Sequence, residues 1–426
     1  MKISEAYVFG RWLGDGTKES SSLEIARSES RIDEMETIAN MIHKPFCHTN
    51  SSCTRFQDAY KLKKEFYRIY SIIINQDVKL LFNIKESFAI IAGFLESDGS
   101  IDNHSKNKIK IVLHNNDKNL LYFLQNLLKN AGIICYIKES YGLKTNYGRD
   151  KCCRLHINNN LCLYYLFHML LPYLLSKDKK NRINDWLKFY DDYHQSLKLN
   201  FSEKFISIEG EGRDMGRLKL FLRVRGCPFS CGYCDTKYSI GSRGMSNYKA
   251  PTLRQIINDV RNFGYFSEIE FTGGSPEWFP QKIGYLLVYF KIHFNSRITM
   301  QCSGGIYSEK NQALFTLSDI NSFDCKDLRE KVPFIIDKLY VREKDEIKFL
   351  VCDDLSYQFV KNKLKEFKDL KCQFIISVVT EENKDDLESL NLLIDKIKHD
   401  NDFPKQNVRL MVREHILLYG KGKRGI

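Results

Sequence analysis

The run RVRGCPFSCGYCDTKY holds Cys227, Cys231 and Cys234 at the spacing C-x3-C-x2-C, directly after the strand-like segment LKLFLRV. Three thiols on one short loop point to a single centre. Three thiolates leave one iron of a cubane [4Fe–4S] cluster without a protein ligand. That open iron accepts a small chelating molecule through an amino and a carboxylate group, and the bound cofactor then carries the chemistry while the protein positions it and excludes water. A zinc site asks for a fourth His or Cys nearby, whereas the next histidine is His293 and the next cysteine Cys302. On spacing alone an iron–sulfur loop, a zinc loop and unrelated free thiols all stay open.

The surrounding composition narrows the setting. The opening MKISEAYVFGRWLGDG lacks the basic, apolar and small-residue succession of a secretory signal. The chain is therefore expected in the cytoplasm, where its 13 cysteines do not build a disulfide framework. Cys302, Cys325, Cys352 and Cys372 are isolated and read as small core residues. With 43% hydrophobic and 28% charged residues and no apolar run of membrane-spanning length, disordered and membrane classes are excluded and no membrane partner is expected. A length of 426 residues exceeds what one core usually supports, which predicts two domains. A net charge of +12 suits an anionic partner, but the excess divides almost evenly between residues 1–200 and 201–426.

From Leu218 onward, LKLFLRV, EIEFTGG, RITMQCSGG, FDCKDL, EIKFLV, QFIISVV and VRLMV read as strands. Amphipathic stretches at Leu253–Phe263, Leu355–Phe367 and Lys384–His399 alternate with them, the rhythm of βα units on a parallel sheet. Upstream, apolar helices are predicted at Ser4–Gly14, Lys85–Ser97, Asn119–Ala131 and Leu161–Leu175, with shorter strands between them, as two loosely similar α/β units. The polar stretch Asp191–Leu199 is the predicted junction, too short for a long flexible linker.

Paired glycines in EFTGGSP, Gly273 and Gly274, expose backbone at the sheet's C-terminal edge and permit close approach of a ligand, although a structural turn explains them as well. At this point the sequence becomes specific. FISIEGEGRDMGRLKLFLRVRGCPFSCGYCDTKY resembles the opening of the 7-carboxy-7-deazaguanine synthase family of radical S-adenosylmethionine enzymes. The likeness continues in order through TGGSP, QCSGG, FDCKD, EIKFLV and VREHILLYGKGKRGI, from about Leu199 to Ile426.

The resemblance implies a carbon–nitrogen lyase of deazapurine (queuosine-type) biosynthesis. It contracts 6-carboxy-5,6,7,8-tetrahydropterin to 7-carboxy-7-deazaguanine with loss of ammonia, taking a hydrogen from C6 and returning it after rearrangement. It implies a [4Fe–4S] cluster on the three cysteines, S-adenosylmethionine and Mg2+ as cofactors, an electron donor such as flavodoxin, and a homodimer through the C-terminal domain. Carried over residue by residue, Thr236 meets Mg2+, while Gly273, Gly274, Ser275, Ser303 and Lys326 contact S-adenosylmethionine. Glu209, Glu211, Arg223 and His415 hold the pterin. Arg223 suits a bidentate pair with a carboxylate, and Glu211 suits a guanidine-like pterin edge; surface ion-pair residues would give Glu209 and Arg223 the same appearance. Two departures stand out. Ser275 replaces the Glu of the family's TGGEP, which touches one polar contact to the methionine end of the cofactor, and the chain ends in Ile426 without the terminal proline of some members.

In the N-terminal half, AYVFGRWLGDGTK and AIIAGFLESDGSI share an apolar helix with small residues four apart, Gly10 and Gly14, Gly93 and Ser97, followed by Asp-Gly. Small residues let two helices pack backbone to backbone, and Gly16 and Gly99 are expected to end them in the left-handed conformation. Asp15 and Asp98 then lie side by side at the negative ends of two helix dipoles, where a cation must compensate. Two carboxylates holding Mg2+ activate water for phosphodiester hydrolysis. These segments resemble the paired motifs of LAGLIDADG homing endonucleases from about Ile3 to Tyr190, which implies a duplicated αββαββα fold saddling double-stranded DNA. Lys106, Lys108, Lys110, Arg149, Lys151 and Arg154 are candidates to meet phosphates, with a solvated face as the alternative.

The expected protein is an α/β fusion. A LAGLIDADG-type domain over 1–192 precedes a partial (βα) barrel of radical S-adenosylmethionine type over 199–426. The competing expectation is a radical enzyme joined to a degenerate, DNA-binding remnant without cleavage. A mobile endonuclease beside a deazapurine enzyme fits a viral or mobile genome.

Overall fold

The computed structural model describes every residue except 28–30, 51, 76–81, 106–107, 142–150, 233, 235, 241–249, 337–339, 379–385 and 420–426. It divides into two compact units, Met1–Asp192 and Tyr193–Ile426. No helix among the described residues is long and apolar enough to cross a membrane.

The first unit opens with α1 (Ile3–Asp15), β1 (Leu23–Ala26), α2 (Ile32–Ile42), β2 (Phe46–Asn50), β3 (Cys53–Phe56) and α3 (Tyr60–Asn75). It continues with α4 (Ile84–Asp98), β4 (Gly99–Ser105), β5 (Lys108–Asn115), α5 (Lys118–Asn130), β6 (Tyr136–Tyr141), β7 (Lys151–Ile157) and α6 (Asn160–Leu170), before α7 (Lys177–Ser196). The second run has the full αββαββα order, with a four-stranded antiparallel sheet β4-β5-β7-β6; the first shows three strands, β1-β3-β2, among the described residues. Side-chain caps start the helices where the sequence supplies them. Asn83 accepts from the Glu86 amide and Glu86 returns to the Asn83 amide, a capping box, while Asp117 and Asn159 cap α5 and α6. The predicted helix Leu161–Leu175 stops at Leu170, because Pro172 has no N–H to continue it. Residues 191–196, read as a junction, are still helical within α7.

α1 and α4 pack backbone to backbone through their glycines. A Cβ added to Gly10 would lie 2.1 Å from the Ile90 carbonyl oxygen, and one on Gly93 would lie 2.1 Å from that of Tyr7. Gly16 and Gly99 are extended (φ −84° and −117°) instead of left-handed, so the expected cap conformation is corrected. Glycine is needed there for space: a Cβ on Gly16 would meet Trp12 Cδ1 at 2.1 Å, and one on Gly99 the Leu95 backbone at 2.7 Å. Around the helix pair, Phe9, Trp12 and Phe66 form one aromatic core and Tyr164, Trp186 and Tyr190 another.

The second unit is one eight-stranded sheet. Its strands are β8 (Phe201–Ile208), β9 (Leu218–Val224), β10 (Glu268–Gly273), β11 (Arg297–Cys302), β12 (Ile320–Asp324), β13 (Glu346–Val351), β14 (Gln373–Val378) and β15 (Val408–Met411). They lie in the order β15-β14-β13-β12-β11-β10-β9-β8, parallel from β9 to β15, with β8 antiparallel to β9. Helices α8 (Lys237–Ile240), α9 (Leu253–Asn262), α10 (Pro280–His293), α11 (Glu309–Leu317), α12 (Asp354–Glu366) and α13 (Asp386–His399) fall between strands, and α14 (Glu414–Tyr419) follows the last. This is the open, partial (βα) barrel expected from the strand rhythm.

Side chains alternate faces along each strand. Leu220, Leu222, Ile269, Phe271, Ile347 and Phe349 are buried on one face, with Tyr357, Val360 and Leu364 of α12 packed on β13. The alternate positions Lys219, Glu270, Thr299, Gln301, Ser322, Asp324, Glu346 and Lys348 are polar. The sheet thus presents a charged inner face, with strand ends carrying the sequence motifs at one edge.

Candidate active sites

The cysteine loop leaves the end of β9, and β10 is zipped onto it. The Gly274 amide donates to the Val224 carbonyl at 2.8 Å and the Ser275 amide to that of Gly226 at 2.9 Å. Gly273 has φ 106°, and a Cβ on Gly274 would lie 2.1 Å from the Gly226 oxygen. Both glycines therefore serve close backbone docking of TGGS against the cysteine loop. Ser275 is fully buried, its Oγ 3.3 Å from Cys227 Sγ, while Thr236 Oγ1 lies 3.6 Å from Cys234 Sγ and donates to the Gly273 carbonyl at 3.5 Å.

All three cysteines are free, and the Cys234 amide donates to the Cys231 carbonyl at 3.3 Å within the loop. Burial raises the thiol of Cys227 and pushes that of Cys231 up to about 11, while Lys326 pulls both the other way. Among the described residues no three His, Cys, Asp or Glu side chains are already gathered as a metal cage. Cys227, Cys231 and Cys234 would hold the cluster as thiolates, the form in which cysteine binds iron. The donor set suits a cluster with one open iron: three thiols on one loop and no further Cys or His in the same run. Lys326 lies beyond the end of β12, where it pairs with Asp324 at 2.6 Å.

On the inner face, Lys219 donates to Glu209 and Glu270, each at 2.8 Å, and to Thr299 at 3.3 Å. Burial and the adjacent Glu270 push Glu209 well above the usual carboxyl range; burial acts on Glu270 in the same sense, but Lys219 outweighs it and holds Glu270 low. Glu209 is consumed by this buried network. Glu211 pairs with Lys348 at 2.8 Å, and Lys348 also faces Asp324 at 3.7 Å. Arg223 pairs with Glu203 at 2.8 Å and lies over the rings of Phe205 and Tyr238. Gly212, at φ 75°, lets the entry loop turn against Glu346, whose carboxylate accepts from the Arg213 amide at 2.8 Å. α14 is tied to the same loop through the Glu414 amide and the Gly210 carbonyl at 3.0 Å. His415 belongs to α14, with its side chain outside the described residues.

In the first unit Asp15 and Asp98 end α1 and α4 beside one another: a Cβ on Gly14 would lie 3.3 Å from Asp98 Cγ. Burial raises both carboxyls, and each is moderated, Asp15 by Arg11 and Asp98 by a 3.1 Å hydrogen bond from Asn115. Two lysines occupy the helix ends. Lys18 donates to the carbonyls of Trp12, Leu13 (3.0 Å) and Gly16 (2.9 Å), and Lys179 to those of Leu95 and Gly99 (2.9 Å). Burial brings both down to about 8. The dipole ends that the sequence assigns to a metal are thus already met by ammonium groups. On the four-stranded sheet, Lys110, His114, Lys138, Arg154 and His156 share one face through the strand register. Lys106 and Arg149 lie outside the described residues, as do the side chains of Lys108 and Lys151.

Residues 222–394 match the model of the radical SAM superfamily, and residues 85–168 that of a LAGLIDADG-like domain. The 7-carboxy-7-deazaguanine synthase of Thermoplasma acidophilum is 31% identical over 163 residues, 37% of this chain and 72% of that protein. The chain belongs to the 7-carboxy-7-deazaguanine synthase family. The synthase of Clostridium acetobutylicum is 26% identical over 238 residues, 53% of this chain and 97% of that protein. The crystal structure of QueE from Escherichia coli aligns with a TM-score of 0.40 at 18% identity, over 53% of this chain and 98% of that one.

Ahead of this synthase-family half stands the LAGLIDADG-like domain. Within the synthase half the structure brings Cys227, Cys231, Cys234, Thr236, Gly273, Gly274 and Ser275 to one strand edge. Glu277 was missed by sequence reasoning. It follows the motif in a 3-10 turn (Pro276–Trp278) and accepts from the Ser303 amide and hydroxyl at 2.7 and 2.5 Å. The signal available in the sequence was an acidic residue two positions after Ser275, which stands in place of the Glu of TGGEP.

Proposed function

We propose that the C-terminal unit contracts 6-carboxy-5,6,7,8-tetrahydropterin to 7-carboxy-7-deazaguanine with release of ammonia. One observation carries this reading: the cysteine loop is hydrogen-bonded to the TGGS strand end beside an inner face of paired carboxylates and ammonium groups. Cys227, Cys231 and Cys234 would hold the [4Fe–4S] cluster, and Gly273, Gly274, Ser303 and Lys326 would line the S-adenosylmethionine beside it. When bound, these groups supply one-electron hydrogen-abstraction chemistry.

The chain's own residues orient the pterin. Arg223, preformed as a flat guanidinium over two rings, exchanges its partner Glu203 for the substrate carboxylate. Glu211 and Lys348 offer an acceptor and a donor to the pyrimidine edge of the pterin. Thr236 supplies a hydroxyl for Mg2+, and His415 is the further residue that the family resemblance assigns to the pterin. A flavodoxin-type donor supplies the electron. The test is anaerobic turnover: pterin consumption that requires S-adenosylmethionine and disappears in Cys231→Ala supports the reading, and cluster-loaded protein that leaves the pterin unchanged overturns it.

For the N-terminal unit the reading is duplex-DNA binding with Mg2+-dependent cleavage at Asp15 and Asp98, supported by the adjacency of the two carboxylates at the paired helix ends. Binding without cleavage is the second reading, favoured by Lys18 and Lys179 at those same ends. Cleavage of a randomised duplex library with and without Mg2+ separates the two.

A further inference from the structure

Glu277 has a bare oxygen in a buried place. Glu277 is 1% exposed, and Oε1 takes both hydrogen bonds from Ser303. Oε2 is buried and meets no well-aligned hydrogen-bond donor, the Cys302 thiol being a weak neighbour of the carboxylate, and no ion pair to Glu277 is found among the described residues. Asn311 donates to the Glu277 carbonyl at 2.5 Å, so the turn itself is pinned. Burial pushes the Glu277 carboxyl up to about 6; Lys326 acts on it electrostatically without forming an ion pair. A buried carboxylate oxygen without a donor costs free energy that an apolar side chain of the same volume avoids. Such a group is a candidate ligand contact when it lies where a ligand belongs.

It does lie there. Cys227 follows β9, Ser275 follows β10 and Ser303 follows β11, three adjacent parallel strands whose C-terminal ends form one edge. Glu277 stands two residues after Ser275, whose Oγ is 3.3 Å from Cys227 Sγ, and is hydrogen-bonded to Ser303 at the end of the next strand. Ser275 stands where TGGEP carries its Glu, but its short side chain is spent on Cys227 Sγ at 3.3 Å. We propose that Glu277 Oε2 accepts from the amino group at the methionine end of S-adenosylmethionine, making the contact for which Ser275 is too short, with Ser303 as the positioning residue that fixes the carboxylate. This rests on the reading of the cysteine loop as the cofactor site. The amino nitrogen keeps N–H donors while chelating iron, so the contact and the chelation are compatible.

The test uses the full chain, anaerobically reconstituted, with iron content and circular dichroism as controls. Glu277→Gln keeps an acceptor for Ser303 and removes the charge; Glu277→Leu keeps the volume. Equilibrium dialysis with labelled S-adenosylmethionine is expected to show binding weakened about 10- to 100-fold in both, the range for a hydrogen bond to a charged group. Affinity for 5′-deoxyadenosine, which has no methionine end, is expected to stay at the wild-type value. A cluster-loaded variant that binds S-adenosylmethionine as wild type does, or one that loses both ligands equally, overturns the proposal. If the cluster-loaded wild type itself binds no S-adenosylmethionine, the cofactor-site reading fails instead.

Discussion

The ammonium of Lys219 sits 2.8 Å from the carboxylate of Glu270 on the inner face of the synthase-family sheet, with both side chains 2% exposed. Removing one member strands the other, and breaking a buried pair costs about 3–5 kcal/mol. Lys219→Met is therefore expected to lower the denaturation midpoint of the C-terminal unit strongly at neutral pH. The deficit has a defined pH dependence. Glu270 is held below its ordinary value, so its stabilisation is present above about pH 4.5 and is lost as pH falls towards about 2. Glu209 is held high and has the opposite sign, losing stabilisation as pH rises through its folded value. The variant's deficit at neutral pH should shrink on acidification below about pH 4.5, measured by urea titrations across the range; a deficit that grows there would show that Lys219 is not the counter-charge.

Gly10→Ala and Gly93→Ala are each expected to destabilise the N-terminal unit by about 1–3 kcal/mol or more, the cost of forcing atoms into a packed interface. The clash is with backbone, at 2.1 Å in both cases, so no side-chain rotation relieves it. Denaturation midpoints near wild type would mean that the two helices can separate at little cost.

Lys18 and Lys179 give a pH signature of their own. Both are lowered from 10.5 to about 8 by burial, so between those limits the unfolded chain binds more protons than the folded one and stability rises with pH. Lys18→Met lacks this contribution. The stability of wild type relative to Lys18→Met should therefore increase between pH 8 and about 10, read by denaturant midpoints; a constant difference would place the lysine in water.

Asp15→Asn is expected to abolish any Mg2+-dependent cleavage and leave duplex binding within about threefold, since it removes no phosphate contact. Burial raises the Asp15 carboxyl above its ordinary value, so wild-type stability falls as pH rises through that range, and the Asn variant should be slightly more stable at pH 7. Cleavage that survives in Asp15→Asn and Asp98→Asn would remove both residues from the reaction.

Patterns with strong local causes were legible in sequence. Periodicity gave α1 and α4 to within a residue, and the same β-rich runs appear as β9, β13 and β14. The glycine pairs that join the two helices were visible as small residues four apart. What escaped depended on tertiary placement. Glu209 looks like an exposed acid in EGEG, but the fold buries it against Lys219 and Glu270, 10 and 61 residues away in sequence. Lys18 and Lys179 are not signalled by the paired motifs, yet the fold brings their ammonium groups to the carbonyls at the ends of α1 and α4, beside the carboxylates read as metal ligands. Gly16 and Gly99 were correctly required but for space and not for handedness. Glu277 sat outside the expected motif and was found only through its burial and its bare oxygen.

The most direct measurement is product identification after anaerobic turnover. Protein reconstituted with iron and sulfide, a reductant, S-adenosylmethionine and 6-carboxy-5,6,7,8-tetrahydropterin should yield 7-carboxy-7-deazaguanine by mass spectrometry, together with ammonia, and Cys227→Ala should yield neither. A wild-type protein that carries its cluster and binds S-adenosylmethionine, yet returns the pterin unaltered, would contradict the assignment.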